Sequence, residues 1–582
     1  VFIDVPGHEK LVRTMVAGAS NIDGTLLVIA ADEGINIQTR EHFDILRILD
    51  IPGGVIALTK SDLVDDRQIQ ELTESTRIFV QGTFLEKAEI IPVSASTGAG
   101  VEDIRNALIK ISRKIRPRDD TGIFRMPVDR IFTIQGFGTV IAGTVLSGQI
   151  KAGDEIEILP ERIKTKVRGV QVHHEKADHS RMGKRTALNL LGVEKDRLRR
   201  GQCVGQPDAL WPTNRVDATL QLLHSGKEIK NRTRLRFHTG TSETICRIVL
   251  LDRNSINPGE TAPVQFVLEG ETVTLPGDRF VIRTFSPLVT VGGGTILDAD
   301  PSKHKRFDEE ALAGVRRMAG SAREQTEQLV LKSGYFSVDP FSIIKKSGKD
   351  GAQVSAGFTS LVDSDRIYPI GGGSEVRYIH TKYRDRIVDK IEDAVRSHLD
   401  KHPDRLSIPF SELRSSMLRI TDESTFRSIL ESLIDLGRIY RKGQEVGITG
   451  YKVDLTDKES QRVKQLEQMF LEAGFEAPLE EALREELNIQ PPAFKKLITS
   501  MINSGKIVRL SDKVIYHKKT LDRILEIVLQ FISKNHSITI AQLRDELGLS
   551  RKYTQAILEY MDATGITERS GDLHVLPKDG KV

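Results

Sequence analysis

Four nearly unbroken apolar runs mark the start of the chain, at residues 1–4, 24–31, 54–59 and 89–94. Amphipathic stretches lie between them, as at 39–49 and 67–80. Apolar runs of strand length predict strands buried on both faces. Their alternation with amphipathic segments predicts a parallel sheet covered by helices. The polar segment Arg116-Pro117-Arg118-Asp119-Asp120 ends this pattern and predicts a linker. From 124 to about 298, short β-branched runs are cut by Gly and Pro, the texture of all-β barrels or sandwiches. The break from Gln206-Pro207 to Trp211-Pro212 divides this stretch into two β domains.

The rest of the chain is helical, punctuated by short hairpins. Asp365-Arg366-Ile367-Tyr368, Gly437-Arg438-Ile439-Tyr440, Gly505-Lys506-Ile507-Val508 and Gly565-Ile566-Thr567-Glu568 recur at spacings of 72, 68 and 60 residues. Each follows an amphipathic helix and precedes a second short strand. Helices closed by a β-hairpin make a winged helix, and four in tandem is the reading. The expected organisation is a partial α/β domain at 1–118, β-barrel domains at 119–208 and 209–303, and winged helices at 304–382, 383–455, 456–518 and 519–582.

Composition narrows the classes. Over 582 residues the formal net charge is only +3, which excludes a bulk polycation and requires any nucleic-acid site to be a local patch. Hydrophobic residues at 39% and charged residues at 28% suit a globular chain with true cores. Two cysteines, Cys203 and Cys246, exclude a disulfide framework and the usual four-ligand zinc site, and make a reducing, cytoplasmic compartment the default. No apolar run reaches the roughly 18 residues of a membrane span. Val1-Phe2-Ile3 opens in mid-strand, which predicts a segment before it.

Candidate chemistry sits at the strand ends, where α/β folds bind ligands. Asp4-Val5-Pro6-Gly7-His8-Glu9 follows the first run. In phosphate-loop nucleotidases such an acid holds Mg²⁺, the Gly N–H reaches the γ-phosphate, and His8 would orient the attacking water. A plain Asp-Pro-Gly turn would look the same. Thr59-Lys60-Ser61-Asp62 ends the third run. Guanine offers two donors that one carboxylate accepts, so Asp62 fits as its reader, with the Lys60 stem against the purine face. A capped helix start would also fit. Ser94-Ala95-Ser96 ends the next run and could offer an N–H to the guanine O6. The three motifs in this order point to a GTPase.

These motifs resemble those of translational GTPases. The closer resemblance is to the selenocysteine-specific elongation factors (SelB), of bacterial type. It rests on 124–132 (Phe-Arg-Met-Pro-Val-Asp-Arg-Ile-Phe), Gly136-Phe137-Gly138-Thr139-Val140, Gly143-Thr144-Val145, His238-Thr239-Gly240-Thr241, 292–298, and Ser550-Arg551-Lys552-Tyr553 with Leu558-Glu559-Tyr560. The resemblance implies GTP and Mg²⁺ as cofactors, selenocysteinyl-tRNA, a selenoprotein mRNA stem-loop and the ribosome as partners, and a monomer. One departure is serious. The phosphate loop Gly-x-x-x-x-Gly-Lys-[Ser/Thr] and the switch Thr are absent, and both are expected within about 60 residues upstream of Val1. An N-terminally truncated member is therefore expected: hydrolysis belongs to the longer protein, and the chain alone binds GTP poorly.

In this family the second domain helps to form the selenocysteinyl pocket. A selenol is an anion at neutral pH, so cations can select it over serine. The matching residues are Asp129, Arg130 and Arg185. On the residues alone, a surface pair Asp129-Arg130 and a solvated Arg185 are the favoured reading; the resemblance turns it to the pocket. The clusters at 195–200 and 227–236 could meet tRNA phosphates or simply be solvated. His173-His174 lacks ligand-spaced partners for a metal.

In the last winged helix, the helix 540–547, the turn Gly548-Leu549 and a third helix capped by Ser550 are expected. That helix is expected to expose Arg551, Lys552, Tyr553 and Gln555 and to bury Ile557, Leu558 and Met561, with Arg569 beside the wing turn. Nucleic acids meet the start of this helix in helix-turn-helix proteins, and RNA loops are read by cations and stacked aromatics. Arg551, Lys552, Tyr553 and Arg569 are therefore the mRNA candidates. Residues 519–582 carry nine basic and nine acidic side chains, so any RNA face is local. Two alternatives stand beside a translation GTPase that delivers selenocysteinyl-tRNA at UGA. One is a non-enzymatic RNA-binding adaptor, if the phosphate loop is truly lacking. The other is a general factor of the Tu type, against which the ~280-residue winged-helix tail speaks.

Overall fold

Three of the apolar runs form one parallel sheet, in the order Thr25–Ala30, Gly54–Thr59, Ile90–Pro92. Thr25 pairs with Gly54, Ala30 with Thr59 and Leu58 with Pro92, so all three carboxyl ends meet at one edge. The computed structural model describes residues 4, 22–115, 120–136, 138–173, 175–372, 375–402, 405–451, 453 and 455–577. The expected strand at 1–4, apart from Asp4, and most of the linker at 116–120 lie outside them. Helices Ile37–Ile48, Asp66–Val80 and Val101–Ser112 connect and flank the strands. Asp65 and Gln68 form a reciprocal capping box at the start of the second, satisfying end N–H groups that would otherwise lack partners.

The chain divides into two compact units, Val1–Thr381 and Lys382–Val582. In the first, helix Ile37–Ile48 has two jobs. Phe43 joins the sheet core, while Ile45, Leu46 and Ile48 pack on Leu223 and Val281 of a β domain. Each such aliphatic side chain contributes roughly 1.5–3 kcal/mol.

The two β domains differ in strand order. The first is an eight-stranded sheet running from Arg125–Pro127 through Cys203–Gly205, Glu155–Leu159, Ile163–Val172, Arg185–Leu190 and Gly138–Thr144 to Arg130–Ile134, with Glu175–Ala177 added beside Ile163–Val172. The second is a closed barrel of six strands between Thr213 and Asp298. Phe237, Phe266 and Phe280 fill the barrel with ring centroids 5.1–5.2 Å apart. Its outer residues Val249, Leu251 and Leu297 share one core with Val315, Leu329, Val354 and Phe358 of the first winged helix.

All four hairpins form: Ile367–Ile370 with Arg377–His380, Ile439–Lys442 with Glu445–Ile448, Ile507–Ser511 with Val514–His517, and Glu568–Ser570 with Leu573–Val575. The helix before each ends in the same way. Asp365, Gly437, Gly505 and Gly565 take φ of 51°, 67°, 69° and 73°. The next N–H, of Arg366, Arg438, Lys506 or Ile566, returns to the carbonyl of Leu361, Leu433, Met501 or Met561. This is the Schellman closure, which reverses the chain into the wing. At Gly437 a Cβ would meet nothing within 4 Å, so substitution tests the conformation alone. Gly437→Ala is expected to cost about 1–2 kcal/mol, read as faster amide exchange in the 439–448 hairpin.

Candidate functional site

The strand-end register collects the guanine-side candidates. The Ser61 N–H donates to Val93 O at 3.2 Å and the Val93 N–H to Leu58 O at 2.8 Å, tying the loop of Lys60 and Asp62 to the loop of Ser94. Thr59 Oγ1 donates to Ile29 O at 3.4 Å. Lys60 adopts a left-handed conformation (φ 58°, ψ 33°) that turns the chain into the single 3₁₀ turn Ser61–Leu63, where Asp62 is exposed. The Lys60 ammonium donates to Asp32 Oδ2 at 2.8 Å and Glu33 Oε1 at 3.3 Å. These hydrogen bonds hold it above the usual lysine range. Asp32 and Glu33 went unforeseen; their signal was an acidic pair just past the end of another strand of the same sheet.

Ser94 is buried. Its hydroxyl accepts from Thr97 N at 3.1 Å and its own N–H donates to Ala99 O at 3.0 Å. Ala95 stands exposed at the loop tip. Gly100 closes this loop at φ 72°, and a Cβ there would lie 2.1 Å from Pro92 O, so only glycine fits. Thr59, Lys60, Asp62, Ser94 and Ala95 thus share one end of the sheet. Asp4 is exposed. Gly7 and His8 lie outside the described residues.

In the first β domain the structure joins two of the three pocket candidates. Arg185 forks onto Asp129, with Nη1 to Oδ2 at 2.5 Å and Nη2 to Oδ1 at 2.9 Å. A surface pair of Asp129 with Arg130 is therefore replaced by a cross-strand fork, half shielded from solvent. Arg130 is exposed and opposes Ala142, which opposes Ala187. Directly opposed residues of antiparallel strands share a face, so Arg130, Ala142, Ala187 and, two residues along, Arg185 stand on one face. The two alanines leave the floor between the arginines low. Elsewhere Arg199, Arg234 and Arg236 are paired to Glu161, Glu269 and Glu243. His174 lies outside the described residues.

In the last winged helix two expectations need correction. The third helix, Arg551–Ala563, exposes Arg551 and Lys552. Tyr553, however, is buried at 8% exposure among Tyr516, Val514, Leu549 and Ile557, and its hydroxyl donates to Ala477 O at 3.0 Å. It lies four residues before Ile557, hence on the buried stripe, and offers no face to a base. Ser550 takes the cap conformation but makes no side-chain cap hydrogen bond. Gln555 is exposed and donates to Glu559 at 2.8 Å. Arg569 is exposed on the wing, its Nε donating to Gly571 O at 3.0 Å.

Comparison with known proteins covers the same segments. The family Elongation factor Tu GTP binding domain matches residues 1–114, and Elongation factor Tu domain 2 matches 138–205. The selenocysteine-specific elongation factor β-barrel domain matches 213–303, and the Elongation factor SelB winged helix matches 530–576. The selenocysteine-specific elongation factor of Desulfomicrobium baculatum is 34% identical, over 99% of this chain and 91% of its own length.

The chain belongs to the selenocysteine-specific elongation factors.

The Escherichia coli K12 factor of the same name is 26% identical over 99% of this chain and 90% of its own. A crystal structure of a bacterial selenocysteine-specific elongation factor, EF-Sec, shares the fold at a TM-score of 0.63 and 22% identity, over 99% of this chain and 90% of that one. As a member of this family the chain is a translational GTPase that binds guanine nucleotide, and the enzyme reading is favoured over the adaptor. No helix among the described residues is long and apolar enough to cross a membrane.

Proposed function

We propose that the chain carries selenocysteinyl-tRNA to the ribosome at UGA codons in the cytoplasm, as a monomer, and is directed there by an mRNA stem-loop on its last winged helix. Asp62 reads guanine N1–H and the exocyclic amine. The Lys60 stem, held in place by Asp32 and Glu33, covers the purine face, beside Thr59. Ser94 builds the neighbouring loop, and with its own N–H committed to Ala99, the guanine O6 falls to Ala95. Gly7 serves the γ-phosphate and His8 orients the attacking water. The exposed Asp4 carboxylate is a hard oxygen donor that suits Mg²⁺ held through water; bound there, the ion screens phosphate charge. Arg551, Lys552 and Arg569 meet the mRNA stem-loop.

One observation carries the specificity. Arg130 and the forked Arg185 flank a low, alanine-floored stretch of one sheet face. A selenolate there meets two guanidiniums, whereas the neutral seryl group of the same tRNA gains no such charge interaction. Asp129 fixes the Arg185 fork, while among the described residues Arg130 has no ion-pair partner. In the longer protein that carries the phosphate loop, loaded with GTP, Arg130→Ala and Arg185→Ala are each expected to weaken selenocysteinyl-tRNA binding at least about tenfold, or ~1.4 kcal/mol, and to leave seryl-tRNA binding unchanged. Competition binding with the two aminoacyl forms measures this. Equal losses for both forms would sink the pocket assignment.

A further inference from the structure

The wings of the first three winged helices are tied to an earlier helix of their own module, well before the helix that leads into the wing. The residue after the left-handed turn is a cation in each, and it meets a glutamate on that helix. Arg366 Nε donates to Glu327 at 2.8 Å, Arg438 Nη2 lies 2.6 Å from Glu392, and Lys506 donates to Glu467. The glutamates belong to helices Ala322–Lys332, Thr381–Lys401 and Asp457–Glu472.

The fourth module breaks this pattern. The corresponding residue is the apolar Ile566, though its backbone closure onto Met561 is the same. The carboxylate that holds the wing has moved to the third helix, Arg551–Ala563, which also presents Arg551 and Lys552. Asp562 Oδ1 accepts a hydrogen bond from Thr567 Oγ1 at 2.6 Å, and Oδ2 approaches His574 Nδ1 at 2.8 Å without a hydrogen bond between them. Thr567 and His574 are both buried. Thr567 immediately precedes the first wing strand. His574 sits in the second, directly opposite Arg569, and its backbone pairs on the other edge with Ile538.

We propose that Asp562 is a positioning residue of the RNA site: through its hydrogen bond from Thr567, beside the buried His574, it holds the wing that carries Arg569 to the helix that carries Arg551 and Lys552. This rests on reading the fourth module as the RNA reader. Eleven residues separate Arg551 from Asp562, about 16 Å along the helix, so the wing cation and the helix-start cations form two arms of one clamp. Phosphate contacts fix register only if their spacing is preset, because each arm that must be ordered on binding subtracts from affinity. A wing tied to an earlier helix, as in the other three modules, would leave that spacing to the packing of one helix on another.

The test uses the whole 582-residue chain. A stem-loop enriched on it from a loop-randomised RNA pool serves as the probe. Asp562→Ala is expected to weaken the probe about tenfold, and Arg569→Ala by a similar factor. The double variant is expected to be no weaker than Arg569→Ala, because the wing cation is already misplaced, whereas the losses from Asp562→Ala and Arg551→Ala multiply. Asp562→Asn still accepts from Thr567 and is expected to retain most of the affinity. Glu467→Ala, which cuts the corresponding tie in the third module, is expected to change affinity less than about twofold. If Asp562→Ala does not fold, Thr567→Val carries the same cycle with Arg569→Ala. A merely structural role would lower the melting temperature and leave the Asp562–Arg569 cycle multiplicative; that result overturns the proposal, as does unchanged affinity in Asp562→Ala. Failure to enrich any stem-loop would instead remove the RNA-reader reading on which the proposal stands.

Discussion

Replacing Asp278 by alanine is expected to destabilise the junction of the two β domains by about 3–5 kcal/mol. Arg125, in the first strand of one domain, forks onto Asp278 of the other, with Nη1 to Oδ2 at 2.6 Å and Nη2 to Oδ1 at 2.8 Å. Thr274 Oγ1 and the Leu275 N–H also donate to Asp278 Oδ2, each at 2.8 Å. Arg125 is 9% exposed, so removing the carboxylate strands a guanidinium away from water. That penalty, rather than the net value of the pair, makes the effect large. Replacing both partners by apolar residues, as in Arg125→Met with Asp278→Leu, is expected to cost far less.

The pair also has a pH signature. Burial pushes Asp278 upward, but the Arg125 charge and the hydrogen bonds outweigh it and hold the carboxyl below its ordinary value. A depressed folded value gives stability that is present above the ordinary carboxyl value of about 3.9 and is lost as pH falls through the lower folded value. Urea denaturation of the wild type should therefore show this contribution intact from neutral pH down to about 4 and shrinking below it. Asp278→Asn should lack it throughout. A stability difference between the two that does not shrink below about pH 4 would refute the ionised pair.

What the sequence made legible follows physical range. Buried strands announce themselves as continuous apolar runs, and a parallel sheet necessarily gathers their ends. Thr59-Lys60-Ser61-Asp62 and Ser94-Ala95 could therefore be assigned to one edge from order alone. The tether of Lys60 to Asp32 and Glu33 spans two loops that only the register brings together, so it left no local trace. The same holds for Asp129 with Arg185, 56 residues apart, and Arg125 with Asp278, 153 residues apart. The hairpin repeat was legible because its core, a turn residue two positions before a β-branched Ile or Thr, is local. The strand orders of the two β domains were not, since Gly- and Pro-cut β-branched runs fit many pairings equally. Tyr553 failed for another reason. It was placed with its charged neighbours by adjacency, although a helix sorts side chains by spacing. Tyr553, Ile557 and Met561 recur every fourth residue and so share the buried stripe.

Tyr553→Ala is expected to cost about 3–5 kcal/mol, as large aromatic truncations in cores do. Its ring packs in one continuous core that includes Ala477, Val514 and Tyr516 of the third winged helix alongside Leu521, Ile524, Val528 and Ile557 of the fourth. Tyr516 is itself buried at 1% exposure and donates to Phe475 O at 2.8 Å. The strand Val514–His517 runs directly into helix Lys518–Asn535, so no linker separates the two modules. A shared core and a fused backbone predict that they unfold together, in one transition. Tyr553→Ala should split that transition and speed amide exchange around Ala477 and Tyr516. Tyr553→Phe keeps the ring and loses only the hydrogen bond to Ala477, at about 1 kcal/mol, so it should leave the single transition in place. A single, unshifted transition in Tyr553→Ala would show that the two modules are held together by something other than this core. Because Arg551 and Lys552 directly precede Tyr553, the anchor that fuses the modules also fixes where the helix-start cations stand. An RNA bound by those cations therefore meets two modules acting as one body.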